Sequence, residues 1–162
     1  MLIDYNEQIE HLKKIRKGSI REGVRFGLPA VDEYLRFKPN NFNVILGHAN
    51  VGKTTVALYL MLVQAQKNDI KWLVFSSENE SHSVIRKLIE FLVAKPINKV
   101  PEEEFTKWSA WINDRFKFID CNKLYTYRAL LDVAKAVHNA WKFQVFFIDP
   151  YNSLIKDRKQ ME

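Results

Sequence analysis

The sequence predicts an α/β protein with a mainly parallel sheet flanked by helices. Three observations predict it. Short apolar runs of strand type, Trp72-Leu73-Val74-Phe75 and Val145-Phe146-Phe147-Ile148, alternate with longer stretches of helical period. Each run ends abruptly in polar or acidic residues, Ser76-Ser77-Glu78 and Asp149. In open parallel sheets ligands bind outside that edge of the strands. Finally, Gly47-His48-Ala49-Asn50-Val51-Gly52-Lys53-Thr54-Thr55 fits the phosphate-binding pattern G-x-x-x-x-G-K-[ST].

Bulk composition is compatible with this class. The chain has 162 residues, 47% of them apolar and 13% aromatic, which suits one domain with a substantial core. It holds no apolar run of about 18 residues, so no membrane-spanning segment is expected. The opening residues lack the basic-then-apolar order of a secretion signal. Cys121 is the single cysteine, which excludes an intrachain disulfide and fits an intracellular, cytoplasmic setting. A net charge of +6 suits an anionic partner such as nucleic acid, though many soluble proteins share it.

Taken in order, residues 5–18 space Ile9, Leu12 and Ile15 along a short basic helix closed by Gly18 and Ser19. That stripe either packs on its own domain or docks on a neighbouring subunit. The stretch from Gly27 to Leu35 is a turn entering a short helix, with Pro29 suited to the first helical position. A turn at residues 38–41 then leads into Phe42-Asn43-Val44-Ile45-Leu46, which reads as a buried strand feeding the phosphate loop. The helix after the loop runs to about Lys67 and stops at Asn68-Asp69. Trp72 to Phe75 form a buried strand, and Ser81 or Ser83 caps a helix carrying Val84, Ile85, Leu88, Ile89 and Leu92 at helical spacing. Pro101-Glu102-Glu103-Glu104 opens another helix, with Phe105, Trp108 and Ile112 as its expected buried face. Residues 116–120 alternate as a strand ending in Asp120. Thr126 starts a helix through Trp141, striped by Leu130, Val133 and Val137, before the strand that ends at Asp149.

The chemistry follows from the loop. Gly47 and Gly52 permit backbone angles that bring N–H groups onto phosphate oxygens at a helix N-terminus. Lys53 supplies positive charge at the outer phosphates, and the Thr54 hydroxyl is placed for Mg²⁺. The cofactors implied are therefore ATP or a similar nucleotide, with Mg²⁺. Hydrolysis also needs an acid near the metal, for which Asp149 is the first choice and Asp120 the rival. It needs a water-orienting base as well, and spacing leaves Glu78 and Glu80 as equals. His48 reads as a tolerated variable position in the loop. No cysteine–histidine cluster has zinc spacing, and Ser76 and Ser77 lack a nucleophile elbow.

The order of these parts resembles the RecA-like P-loop NTPase motor domain of hexameric replicative DNA helicases, of the DnaB, Twinkle and phage primase–helicase type. The likeness rests on the turn at Gly27-Leu28-Pro29, the phosphate loop, Ser76-Ser77-Glu78-Asn79, and Ile148-Asp149-Pro150-Tyr151-Asn152, and it covers about residues 24–155. It implies Glu78 as the catalytic base, Asp149 as the Walker B acid, and single-stranded DNA as a partner. Lys156, Arg158 and Lys159 would contact DNA phosphates in the central channel of a homo-oligomeric ring, a hexamer in this family. Residues 1–22 would be a linker helix that bridges to the neighbouring motor domain, and 23–162 the ATPase core. A phage or prophage origin fits the same likeness. Family members continue past the Walker B strand with a sensor residue and an arginine finger. The expectation is thus a core truncated after Walker B, with C-terminal strands missing and the trans-acting groups supplied elsewhere. A RecA/RadA- or KaiC-like ATPase, or a nucleotide-binding assembly or loading factor that does not hydrolyse, are the competing readings.

Overall fold

The computed structural model describes residues 3–19, 23–38, 40–123 and 125–154. They form two compact units divided between Val44 and Ile45. The first unit carries helix α1 (Tyr5–Arg16), started by the Asp4 carboxylate accepting from the Asn6 amide at 2.9 Å. None of α1's residues is fully buried; on its apolar stripe Ile9 and Ile15 are half-buried and Leu12 is 57% exposed. A small antiparallel hairpin follows, strands β1 (Val24–Arg25) and β2 (Arg36–Phe37) enclosing helix α2 (Pro29–Asp32). The Asp32 carboxylate closes this turn by accepting from the Gly27 amide at 3.0 and 3.1 Å. Two-residue strands have too little apolar alternation to be legible in the sequence, and the hairpin was not expected.

The second unit contains the predicted α/β core. Helix α3 (Lys53–Asn68) leads to strand β3 (Trp72–Ser76), helices α4 (Ser81–Val93) and α5 (Glu102–Arg115), strand β4 (Phe116–Phe118), helix α6 (Tyr127–Ala140) and strand β5 (Val145–Asp149). The strands form a parallel sheet in the order β4-β3-β5. All five residues of β3 are buried, as expected of a central strand covered on both faces.

Alternation along β3 separates the core into two layers. Trp72 and Val74 point into a cluster with Leu58, Met61 and Leu62 of α3, Leu88 and Ile89 of α4, and Ile112 of α5. Leu73 and Phe75 point the other way, to Leu130 and Ala134 of α6, Ile119 and Leu154. Strand β5 repeats the division, with Val145 and Phe147 on the first side and Phe146 and Ile148 on the second. Helices therefore flank both faces. Full burial of one such Leu or Phe side chain contributes about 1.5–3 kcal/mol, so these two clusters carry most of the unit's stability. Among the described residues, no helix is long and apolar enough to cross a membrane.

Three expectations are corrected. Residues 42–46 are not a buried strand: they have no regular structure, with Phe42 81%, Ile45 51% and Leu46 86% exposed. Apolar character favours burial but does not by itself bring a run into a sheet, and no strand among the described residues pairs with this one. On α5, Phe105 is exposed, while Trp111 packs against the core beside Ile112. Neither Ser81 nor Ser83 caps α4; Glu80 stands at its N-cap without a side-chain cap bond.

Candidate functional site

The phosphate-binding pattern lies wholly in the second unit, at the N-terminus of α3. Residues 47–52 form an irregular turn, and the helix begins at Lys53. Two positions in the turn have left-handed backbone, Asn50 (φ 60°) and Gly52 (φ 86°). Gly52 is the helix N-cap, and no side chain caps it. The first-turn N–H groups of a helix lack intrahelical partners, so they stay available to an anion arriving from outside. At Gly47 a Cβ would lie 3.2 Å from Val51 Cγ2 and 3.3 Å from Lys53 Cδ, so the turn closes tightly there.

Lys53 folds back over this turn. Its Nζ donates to the carbonyl oxygens of Gly47 at 2.9 Å and His48 at 2.6 Å. Two carbonyl oxygens of the loop thus hold the ammonium group of the residue that starts α3. His48, Ala49, Asn50 and Val51 are all exposed, and Thr55 lies exposed in the first turn of α3.

The decisive contact joins the loop to the sheet. Thr54 Oγ1 donates to Asp149 Oδ2 at 2.8 Å, across 95 residues of sequence. Asp149 is the last residue of β5 and is in register with Ser76, the last of β3. The Ser77 amide donates to the Asp149 carbonyl at 3.1 Å, so the two strand ends are locked together. The edge beyond them is where the sequence placed the site.

Asp120, the rival acid, is used differently. Its carboxylate accepts from the backbone and side-chain nitrogens of Asn122, both at 2.9 Å, and closes the turn after β4. Asp120 is exposed, and Asp149 rather than Asp120 meets the phosphate loop.

The two glutamates also separate. Glu80 Oε2 lies 3.2 Å from His82 Nδ1 on an exposed surface at the start of α4. Glu78 sits in the turn directly after β3 and is exposed. That turn is shaped by Ser76, whose buried Oγ accepts from the Asn79 amide at 3.2 Å. In the sequence Ser76 lacks a nucleophile's surroundings and enters only as the first residue of Ser76-Ser77-Glu78-Asn79, with no turn-forming role expected. The three-residue spacing to Asn79 was the available signal, because a serine hydroxyl commonly organises a local turn in this way. Lys156, Arg158 and Lys159 lie outside the described residues.

The donor set can be tested against the cofactors it suggests. Among the described residues, no group of three or more His, Cys, Asp or Glu side chains could hold a metal. Mg²⁺ does not need one. It is commonly bound by one or two protein oxygens plus phosphate and water oxygens, and a hydroxyl beside a single carboxylate is such a set. The residues at Thr54 and Asp149 fit that ion, and the uncapped N-terminus of α3 with Lys53 beside it is chemically suited to phosphate oxygens.

Neither the models of known protein families nor the curated proteins yield a match to this chain.

Proposed function

We propose that this chain is an ATP-binding, ATP-hydrolysing RecA-like P-loop motor domain of a ring-forming replicative DNA helicase. The observation that carries the reading is the Thr54–Asp149 hydrogen bond. It brings the hydroxyl at the end of a phosphate-loop pattern onto the carboxylate at the end of a buried parallel strand, the pairing that Mg²⁺–nucleotide chemistry requires.

In this reading each residue has a defined task. Backbone N–H groups of residues 48–54 bind phosphate oxygens, and the α3 dipole adds favourable potential. Lys53 exchanges its two carbonyl acceptors for the outer phosphates, a charge-assisted and therefore stronger contact. Thr54 and Asp149 hold Mg²⁺, which supplies charge neutralisation at the phosphates when bound. Glu78 orients the attacking water and accepts its proton. The basic residues Lys156, Arg158 and Lys159 contact single-stranded DNA phosphates, and a homo-oligomeric ring, a hexamer, completes each site from the neighbouring subunit.

One observation favours a second reading, a nucleotide-gated assembly factor without turnover. Glu78 is exposed, and no hydrogen bond or ion pair among the described residues orients it. Fluorescent-nucleotide binding with and without Mg²⁺, followed by phosphate release and unwinding of a tailed fork, decides between them. The motor reading expects binding, release and unwinding. Binding without release favours the assembly factor. The Lys53→Ala variant is expected to bind ATP–Mg²⁺ at least about tenfold more weakly, since it removes a charge-assisted contact of about 1.5–3 kcal/mol. Wild-type affinity in that variant would remove the basis for both readings.

A further inference from the structure

The sheet edge that carries Asp149 also carries two exposed tyrosines. Tyr127 and Tyr151 make an edge-to-face pair, with ring centroids 5.8 Å apart and planes at 69°. They remain 40% and 57% exposed.

Both rings stand on well-anchored backbone. Tyr127 is the first residue of α6, where Thr126 Oγ1 accepts from the Ala129 amide at 3.2 Å and Leu130 is fully buried. Tyr151 opens a short 3₁₀ turn, Tyr151–Ser153, tied down by Ser153 Oγ donating to the Pro150 carbonyl at 2.8 Å and by buried Leu154. Two residues before Tyr127, Tyr125 is packed edge-to-face on Phe75 of the central strand, with centroids 5.5 Å apart. One aromatic pair is thus used in the core while the second is left open.

Position gives the open pair its meaning. Tyr151 follows Asp149 by two residues, which limits their Cα separation to about 7 Å. Strand β4 runs parallel to β3, so the chain leaving it reaches α6 on the same edge. In an edge-to-face pair the ring presenting its edge turns neither face to its partner, so the exposed part of such a face is where a planar base can stack. Lys123, exposed and four residues before Tyr127 in the sequence, is a cation of the kind that suits the phosphates accompanying a base.

We propose that Tyr127 and Tyr151 form a stacking platform for a nucleobase beside the phosphate loop. The proposal rests on the phosphate-site reading for its location. The base comes either from the bound nucleotide or from a single strand crossing the sheet edge.

The test compares three probes on the full chain: Mg²⁺–tripolyphosphate, ATP–Mg²⁺ and a fluorescent oligothymidylate. Proteins are the wild type, the double variant Tyr127→Ala with Tyr151→Ala, and the ring-retaining pair Tyr127→Phe with Tyr151→Phe. The alanine pair should bind ATP–Mg²⁺ or the oligonucleotide about tenfold more weakly, a typical loss for one stacked base. Tripolyphosphate binding should be unchanged, and the phenylalanine pair should retain base binding. A loss confined to ATP assigns the platform to the nucleotide; a loss confined to the oligonucleotide assigns it to a single strand. The proposal is overturned if neither probe weakens, if tripolyphosphate weakens equally, or if the phenylalanine pair falls as far as the alanine pair. Failure of the wild type to bind tripolyphosphate removes the phosphate site instead, and the oligonucleotide arm still judges the platform.

Discussion

Replacing Thr54 by valine isolates the contact on which the functional reading depends. Valine keeps the branched shape at Cβ, so the helix start is preserved and only the hydroxyl is lost. Its hydrogen bond to Asp149 Oδ2, 2.8 Å long, is partly buried. Bonds to charged groups contribute about 1.5–3 kcal/mol when well shielded, and water can partly replace this one, so a loss of about 1 kcal/mol is expected. For a chain of this size that is about 3 °C in melting temperature. The nucleotide response is more diagnostic. Melting is followed without ligand, with ATP, and with ATP plus Mg²⁺, using Thr106→Val, an exposed α5 position, as a control. ATP alone should stabilise wild type and Thr54→Val alike. Adding Mg²⁺ should raise the wild type further and leave Thr54→Val nearly unmoved, because the metal has lost a protein ligand. A saturating ligand at about 100 times its dissociation constant adds about 2.7 kcal/mol, well above the intrinsic loss, so the two effects can be separated. If Thr54→Val keeps the full Mg²⁺ increment, Thr54 does not face the metal and the site assignment is wrong.

Other substitutions test other parts of the structure. Gly52→Ala meets no neighbouring atom, yet its φ of 86° requires left-handed backbone; a cost of about 1–2 kcal/mol and a distorted loop with weaker ATP binding are expected, measured by melting and nucleotide titration. Glu78→Gln, examined in an assembly that turns over ATP, should bind ATP normally and release no phosphate; undiminished release moves the base role to Glu80 or elsewhere. In urea unfolding, Leu88→Ala in the three-helix layer should lose about 2–5 kcal/mol, whereas Phe105→Ala on the exposed side of α5 should lose far less. Equal losses would show that the assignment of α5's faces is incorrect.

Much of the second unit was legible because its signals are local. Helices α3 to α6 follow from apolar residues recurring at helical period, and β3 and β5 from short apolar runs too brief for a helix. The stop of α3 was readable at Asn68-Asp69, where Asp69 takes left-handed backbone. The start of α6 at Thr126 was readable from its capping chemistry. Other features depend on partners distant in sequence. Phe105 and Trp111 both lie on apolar faces of α5, and only the position of β3 and α4 selects Trp111 for the core. Residues 42–46 have every local mark of a strand, yet they pair with no described strand even though β4 and β5 each have an outer edge without a partner among the described strands, so local propensity alone does not decide pairing.

By itself, then, the sequence determined the α/β class, the parallel runs and the phosphate-loop pattern, because backbone propensity and side-chain periodicity operate over a few residues. Tertiary structure alone decided between the two acids that the sequence places at strand ends: β4 stops at Phe118, short of Asp120, while β5 ends at Asp149. Asp120 is occupied by a turn two residues away, while Asp149 is brought to Thr54 by parallel pairing of β3 with β5 and by α3 packing on the same sheet. No local signal encodes a bond between groups 95 residues apart. It arises because burying the apolar faces of α3 and β5 in one core leaves their polar ends side by side.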